Sequence, residues 1–153
     1  SVPMPFNTLL WRVVAMTPSG YVIGERSVVA DQGPMQFEGH PSNVQALRQA
    51  GQLPAVQRLQ WFNRGFMRAQ VVEGRLVLSD LRMGMEPDYT FNFAVATQQD
   101  DGWEPIVPDQ IRASYGTRAD VGGRLAAMWN RIWQQPAPIA PDPASGVPLQ
   151  AAP

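Results

Sequence analysis

The sequence predicts an α+β fold in which antiparallel hairpins form one sheet, two short helices lie between its halves, and one amphipathic helix follows near the C-terminus. Residues 8–16 and 21–29 are rich in β-branched and large apolar residues and flank a Thr-Pro-Ser-Gly turn sequence. Residues 66–72 and 75–82 flank Glu73-Gly74, which is typical of a tight hairpin turn. Between the two hairpins the apolar residues recur at a spacing of three, which favours helices.

The elements between the hairpins follow from local signals. A third short strand is predicted around residues 35–38. Ser42 is a plausible N-cap and Gly51 a good residue to follow a helix, so the first short helix lies between them. Pro54 suits the first turn of a second helix, which Gly65 ends.

The second half of the chain returns to strands and then to a longer helix. Large and small residues alternate over residues 89–97, as in a half-buried strand, and Asp100-Asp101-Gly102 is predicted to be a loop tip. Beyond it, apolar residues form one continuous helical stripe, made of Val121, Leu125, Met128, Trp129 and Ile132. Six of the last 18 residues are Pro. We therefore expect one domain over residues 1–135 and a Pro-rich flexible tail over residues 136–153.

Composition excludes several classes of function. The chain has 153 residues, of which 44% are apolar and 16% charged, so it is long and apolar enough for one folded domain. Its formal net charge of −1 argues against a nucleic-acid partner, because such proteins need a basic excess or a basic face. The absence of Cys excludes disulfides, thiol nucleophiles and Cys-ligated metals.

Motifs for metal or nucleotide binding are absent from the sequence. His40 is the single histidine, and it lies in a predicted loop before a helix. A lone His without Cys is a poor metal ligand set, so a structural or exposed role is predicted for it, and no metal site is predicted in this chain. The sequence contains neither a phosphate-binding loop nor a dinucleotide-binding motif.

Asp80 and Arg82 are the most informative charged residues. They extend the strand face set by Leu76 and Leu78, so an apolar strand ends in two charges on the same side. If they are buried, they must be paired. Two interpretations stay open, a structural ion pair and an anchor for a loop or polar ligand. A hydrolase built on two carboxylates would need a second acid near Asp80, for which the candidates are Glu86, Asp88 and Asp109.

The large aromatic residues are predicted to lie mostly in the core: Trp11, Trp61, Phe62, Phe66, Trp129 and Trp133. Trp129 and Trp133 are one helical turn apart and crowd one face of the last helix. That pattern also suits a surface that docks on a partner or lies near a membrane interface.

Several segments, taken in order, resemble one protein family. They are Pro5-Phe6-Asn7-Thr8-Leu9-Leu10-Trp11-Arg12, Gly20-Tyr21-Val22-Ile23-Gly24-Glu25-Arg26-Ser27, Trp61-Phe62-Asn63-Arg64-Gly65-Phe66, and Leu76-Val77-Leu78-Ser79-Asp80-Leu81-Arg82-Met83-Gly84. Their order and spacing over roughly residues 3–97 resemble the soluble C-terminal domain of the bacterial membrane-bound metal-dependent hydrolases.

The resemblance implies a location, a partner and four motif positions. In that family an N-terminal region of several membrane helices is thought to carry the metal ligands, so this chain would be a domain excised from an inner-membrane protein. Its partner would be the membrane region of the same polypeptide, and the divalent metal would lie there. Asn7, Trp11, Asp80 and Arg82 correspond to family-motif positions, without an assigned catalytic role.

Three hypotheses for function therefore stand. The first is an accessory domain, catalytically silent alone, that covers or regulates the membrane-embedded site of such a hydrolase or presents a substrate to it. The second is a stand-alone binding module for a protein, a peptide or a lipid headgroup, which an exposed patch with Trp129 or Trp133 would favour. The third is a soluble hydrolase with its own carboxylate site around Asp80.

Overall fold

A computed structural model describes residues 2–3, 8–111 and 118–136, and the side chains of residues 8–111 and 122–136. This part of the chain forms antiparallel sheets and three helices, which confirms the α+β class. In chain order the elements are β1 (Val2–Pro3), β2 (Leu10–Thr17), β3 (Gly20–Ser27), β4 (Phe37–Pro41), α1 (Val44–Gln49), α2 (Pro54–Asn63), β5 (Met67–Val72), β6 (Arg75–Asp80), β7 (Gly84–Met85), β8 (Asp88–Tyr89), β9 (Asn92–Gln99), β10 (Gly102–Ile111) and α3 (Arg118–Trp133).

The strands divide between two four-stranded sheets and a two-stranded ribbon. Sheet 1 has the order β1-β2-β3-β4, sheet 2 has the order β10-β9-β6-β5, and the ribbon pairs β7 with β8. The prediction of one sheet is therefore wrong, although both predicted hairpins are present. The physical reason is that α1 and α2 separate β4 from β5 along the chain, and the strands on each side of these helices pair only among themselves.

The two short helices lie where the sequence predicts them, but the first has a different N-cap. The Asn43 side chain accepts a hydrogen bond from the Ala46 amide at 2.9 Å and so caps α1. The hydroxyl of Ser42, the predicted cap, instead accepts from the Ala69 amide at 2.9 Å and ties the start of α1 to sheet 2. At the end of α2, Arg64 adopts a left-handed backbone conformation (φ 54°) and Gly65 follows it.

The largest core cluster lies between α1, α2 and one face of sheet 2. Its buried residues are Ala46, Ala50, Val56, Met67, Ala69, Leu76, Leu78, Val95 and Ala96. Residues of β5 and β6 that face each other, such as Ala69 and Leu78, contribute side chains to the same face. The opposite face of sheet 2 is turned towards the ribbon and carries Arg68 and Ser79.

Strand β10 was not predicted from the sequence. It pairs with β9 from Gly102 to Ile111, and the register shifts between Pro105 and Asp109. Of the predicted loop tip, Asp100 and Asp101 form the turn that connects these two strands, whereas Gly102 is already the first residue of β10.

The last helix packs against sheet 1 through its C-terminal half. Ile132 is buried against Leu10, with Met128 beside them, and the Ser27 hydroxyl donates a hydrogen bond to the Ile132 carbonyl. Leu125 and Trp129, which belong to the predicted apolar stripe, are instead exposed. The stripe thus contacts the core at only part of its length.

An ion pair between Asp31 and Arg131 also holds α3 against sheet 1. Arg131 Nη1 lies 2.8 Å from Asp31 Oδ1, and both side chains are largely buried. The hydrogen bond from Arg131, and then that from the Ser27 amide, lowers the pKa of Asp31 below its ordinary value of 3.8.

We expect this pair to make the stability of the domain depend on acidic pH. Because the pKa of Asp31 is lower in the folded chain, its ionised form stabilises the fold above pH 4, and this contribution is lost as the pH falls through the folded pKa. Asp31→Asn should therefore lower the free energy of unfolding by about 2 kcal/mol at neutral pH and by far less near pH 2. Urea unfolding of both proteins at the two pH values tests this, and a constant difference would contradict it.

Two predictions from the sequence concern residues outside the described part of the chain. Asn7 and the predicted tail, apart from Pro136, lie outside the described residues. Among the described residues, no helix is both long enough and apolar enough to cross a membrane.

Candidate functional site

Asp80 and Arg82 form a bidentate ion pair at the end of β6. Arg82 Nε and Nη2 lie 3.0 and 2.7 Å from the two Asp80 oxygens, and the Arg82 amide also donates to Asp80 Oδ1 at 2.9 Å. Asp80 is buried, and its carboxylate raises the pKa of Arg82. The Arg82 guanidinium lies over the Phe62 ring, 5.1 Å from its centroid. This geometry is that of the structural ion pair, one of the two interpretations that the sequence left open.

The candidate second carboxylates have other partners or positions. Glu86 binds Arg68 and the Tyr21 hydroxyl, Asp88 binds Arg124, and Asp109 is exposed on β10. Among the described residues, no three His, Asp or Glu side chains come together in a group that could hold a metal ion.

The other predicted positions have local roles. His40 lies on β4 rather than in a loop, and its ring stacks on Tyr21 with the ring centroids 5.3 Å apart. The Trp11 indole donates a hydrogen bond to the Thr8 carbonyl at 2.9 Å. Trp11 is partly exposed on β2, opposite Arg26 of β3.

A buried polar cluster joins the two sheets to the ribbon, and we call it the arginine–tyrosine cluster: Arg12, Tyr21, Arg68, Glu86 and Tyr89. Arg68 Nη1 lies 2.6 Å from Glu86 Oε1, and the Tyr21 hydroxyl donates to Glu86 Oε2 at 2.7 Å. Arg12 donates to the carbonyls of Leu81 and Gly84, both at 2.6 Å. The cluster thus links β2, β3 and β5 through the segment that holds the ribbon.

The ring of Tyr89 lies beneath both arginines of the cluster. The guanidinium carbons of Arg12 and Arg68 are 5.9 and 5.1 Å from the ring centroid. The carboxylate of Glu86 pairs with Arg68, whereas Arg12 donates to backbone carbonyls, so the electron-rich ring face and these carbonyls supply the remaining compensation. The sequence analysis did not find this cluster. A signal was present, because Arg12 interrupts the apolar face formed by Leu10 and Val14 on β2.

The close pairing of the two ribbon strands positions the Gly84 carbonyl and the Tyr89 ring of this cluster. Gly84 has φ 115°, in the region that favours glycine, and a Cβ there would lie 2.8 Å from the Tyr89 Cα. The close approach of the two ribbon strands therefore requires glycine at this position. It brings the Gly84 carbonyl to Arg12 and holds the Tyr89 ring close to both arginines.

Both tyrosines of the cluster are hard to ionise. Burial, and then the hydrogen bond to Glu86, raises the pKa of Tyr21 from 10.0 to about 12. Burial raises the pKa of Tyr89 far above its usual value. Both hydroxyls are therefore neutral at physiological pH. Because each pKa is higher in the folded chain than in the unfolded one, the stability of the domain should fall as the pH rises beyond 10.

The main cleft of the described structure lies beside this cluster, between sheet 1, the ribbon and α3. It has a volume of about 710 Å³ and is lined by Arg12, Glu86 and Met85 on one side and by Arg124, Met128 and Arg131 of α3 on the other. Sheet 1 contributes Glu25 of β3 and Glu38 and His40 of β4 to the lining. The volume falls in the range of ligand-binding pockets.

Some of the charged side chains that line the main cleft form ion pairs in the described structure, and others do not. Arg124 and Arg131 bind Asp88 and Asp31, and Glu86 binds Arg68. Glu25 and Glu38 form no ion pair with any residue of the described structure. They lie on the same face of neighbouring antiparallel strands in a diagonal relation, because Glu38 is opposite Ile23. Diagonal neighbours of this kind are about 7 Å apart.

Several aromatic side chains that the sequence analysis assigned to the core are exposed. Trp129 and Trp133 of α3 are 60% and 52% exposed and contact each other edge to face, with ring centroids 6.0 Å apart. Trp61 and Phe62 of α2 are 82% and 59% exposed. The core prediction is wrong for these four residues, because each helix buries only one side and the tryptophans lie on the other.

Comparison with known proteins identifies no relative: no protein family, no curated protein and no solved structure matches this chain. The resemblance to membrane-bound metal-dependent hydrolases therefore stays a prediction, and the function is argued from the geometry.

Proposed function

We propose that this chain is a binding domain, the accessory part of an inner-membrane metal-dependent hydrolase, and that its main cleft holds a basic segment of the partner polypeptide. The partner in this proposal is the membrane region of the same protein, which would also hold the divalent metal. The domain itself contributes a surface rather than reacting groups.

The observation that carries this proposal is the pair of carboxylates in the main cleft that form no ion pair within the described structure. Glu25 and Glu38 line a cleft of about 710 Å³ from one sheet face, while the cations that line it on α3 already have carboxylate partners. The third cation of the lining, Arg12, lies opposite Glu25 in the register of β2 and β3, and its guanidinium donates to the Leu81 and Gly84 carbonyls. A guanidinium or ammonium group entering between the two carboxylates would make charge-assisted hydrogen bonds with both. The apolar lining from Met85 and Met128 would contact the neighbouring apolar side chains of a peptide.

The engagement of the other carboxylates supports a binding role over a hydrolytic one. Both oxygens of Asp80 are occupied by Arg82, and those of Glu86 by Arg68 and Tyr21. A general acid or a nucleophile must be able to reach a substrate. The geometry therefore gives no support to a carboxylate-based active site around Asp80.

Binding of a basic segment can be tested with peptides of defined charge. The probe is a short capped peptide of alternating arginine and alanine, and the comparison peptide has glutamate at each arginine. We expect the double variant Glu25→Gln/Glu38→Gln to bind the arginine peptide about fivefold more weakly, from two partly exposed charge contacts. Glu104→Gln on the exposed β10 is the matched control. Equal titration curves for the double variant and the control would overturn the assignment of the cleft.

The membrane-hydrolase part of the proposal needs a separate measurement. Sequencing the source gene upstream of the Ser1 codon should reveal several apolar spans of about 20 residues with His and Asp at their ends. A start codon or a cleavable signal peptide immediately upstream would overturn it.

One observation favours a second candidate function, the stand-alone binding module. Trp129 and Trp133 are exposed, and together they form an aromatic patch on α3. Exposed tryptophans are common in surfaces that bind proteins. If the upstream gene holds no membrane spans, this patch becomes the surface to test, with Trp129→Ala/Trp133→Ala compared against the native chain in partner binding.

A further inference from the structure

A second cavity lies between α2 and sheet 2, away from the main cleft. It has a volume of about 380 Å³. The surface of its walls is mostly apolar and comes from Leu59, Trp61, Phe62, Leu78, Phe91 and Phe93. Asn63 and Ser79 also line it, together with the charged residues described below. Trp61 is 82% exposed, so it stands at the rim of the cavity rather than closing it. The volume is near the lower end of the range for ligand pockets, which suits a single chain or ring.

The chain segment that contains α2 carries charges of one sign only. Residues 39–72 contain Arg48, Arg58, Arg64 and Arg68 and no Asp or Glu. Arg68 is buried in the arginine–tyrosine cluster, but Arg58 is exposed and lines the cavity. Within the described structure Arg58 forms no ion pair.

One carboxylate also lines the cavity, but its charge is compensated. Asp80 forms the bidentate ion pair with Arg82, whose guanidinium lies over the Phe62 ring. Among the described residues that line the cavity, Arg58 is therefore the charged one without an ion-pair partner. An apolar cavity with a free cation at its mouth is complementary to a molecule with an apolar body and an anionic head.

From these observations we infer that the cavity between α2 and sheet 2 is a binding site for a single-chain anionic amphiphile. Its alkyl chain lies against Phe91, Phe93 and Leu78, and its acidic head binds Arg58. Trp61 covers the chain at the rim, where an indole can contact both apolar and polar groups. This site is independent of the main cleft and of the proposed function.

Sodium decanoate, kept below its micelle concentration, is the probe for this site. Its binding should be followed by calorimetry and by the indole N–H signal of Trp61, which Trp61→Phe identifies. Across hexanoate, octanoate and decanoate we expect the affinity to rise about tenfold for each pair of added methylenes. Acetate, which supplies the head alone, and decyltrimethylammonium, which reverses its charge, should both bind far more weakly than decanoate.

Variants at exposed positions separate binding from folding. Arg58→Gln should weaken decanoate binding about tenfold, because it removes a charge-assisted contact, and Trp61→Ala should weaken it to a similar degree. Arg48→Gln on α1 and Val107→Ala on β10 are the controls, since both residues are exposed and neither lines the cavity. Thermal unfolding should be the same for all four variants within about 2 °C.

The possible results divide clearly. Chain-length dependence together with loss of affinity in Arg58→Gln and Trp61→Ala supports the site. Equal binding of decanoate and decyltrimethylammonium, unchanged affinity in both cavity variants, or a Trp61 signal that does not move would each overturn it. Vesicles of anionic phospholipid, added in place of decanoate, identify the source of the chain. Binding to vesicles without any binding of decanoate would also overturn the cavity as the site.

Discussion

Replacing Arg12 with methionine should lower the free energy of unfolding by about 3 kcal/mol, the largest effect we expect from an arginine substitution in this domain. Arg12 is only 3% exposed and donates hydrogen bonds to the Leu81 and Gly84 carbonyls. No other side chain of the arginine–tyrosine cluster donates to these two carbonyls. Methionine keeps the apolar stem of the side chain but leaves both carbonyls without these hydrogen bonds. Sheet 1 then loses the polar link between β2 and the ribbon, while the hydrogen bond from Tyr21 of β3 to Glu86 remains.

Chemical denaturation of the variant and the native chain gives this free energy directly, and the melting temperature should fall by about 10 °C. Arg26→Met is the matched control. Arg26 lies on the neighbouring strand and, among the described residues, donates to the exposed Gly33 carbonyl alone, so we expect a loss of about 0.5 kcal/mol or less. Similar losses for the two variants would mean that the buried hydrogen bonds of Arg12 do not stabilise the fold.

Replacing Glu86 with glutamine should have a similarly large effect, about 3 kcal/mol, for a different reason. The substitution keeps the shape of the side chain and removes its charge. Arg68, with a side chain 9% exposed, then has no carboxylate partner. The pKa of Tyr21 should also fall from its value of about 12, because the negative charge beside its hydroxyl is gone.

A double-mutant cycle separates the unpaired charge from the other consequences of this change. We expect Arg68→Met in the Glu86→Gln background to recover much of the lost stability, because the buried charge is then absent. Glu73→Gln, at the exposed tip of the β5–β6 hairpin, is the control and should change stability by about 0.5 kcal/mol or less. A double variant less stable than either single variant would show that the pair contributes through shape rather than charge.

How much of the fold could be predicted is best judged from β6 and β10. On β6 the alternation of Leu76 and Leu78 defines a face, and the ion pair of Asp80 and Arg82 follows from burial at its end. On β10, Pro105 and Pro108 argue against a strand in the sequence, because proline has no amide hydrogen to donate to a neighbouring strand. The structure accommodates them on an edge strand, where the register shifts between Pro105 and Asp109.

The arginine–tyrosine cluster shows what local patterns cannot supply. Arg12, Arg68 and Glu86 are far apart along the chain, and the distances that join them depend on how two sheets and a ribbon pack. A charged residue on an apolar strand face does indicate a buried partner, as it did for Asp80. It does not say which of the remaining acids or carbonyls that partner is.

The prolines of β10 have a consequence for association between molecules. An exposed edge strand offers free backbone donors and acceptors to any other extended chain, and this is a common start of aggregation. On this edge of sheet 2, Pro105 and Pro108 lack the amide hydrogen, and the shifted register breaks the regular ladder. Val107, which is 88% exposed between them, therefore lies on an edge that is poorly suited to adding a further strand. The prolines that made this strand hard to predict from the sequence therefore disfavour the addition of another chain at this edge of sheet 2.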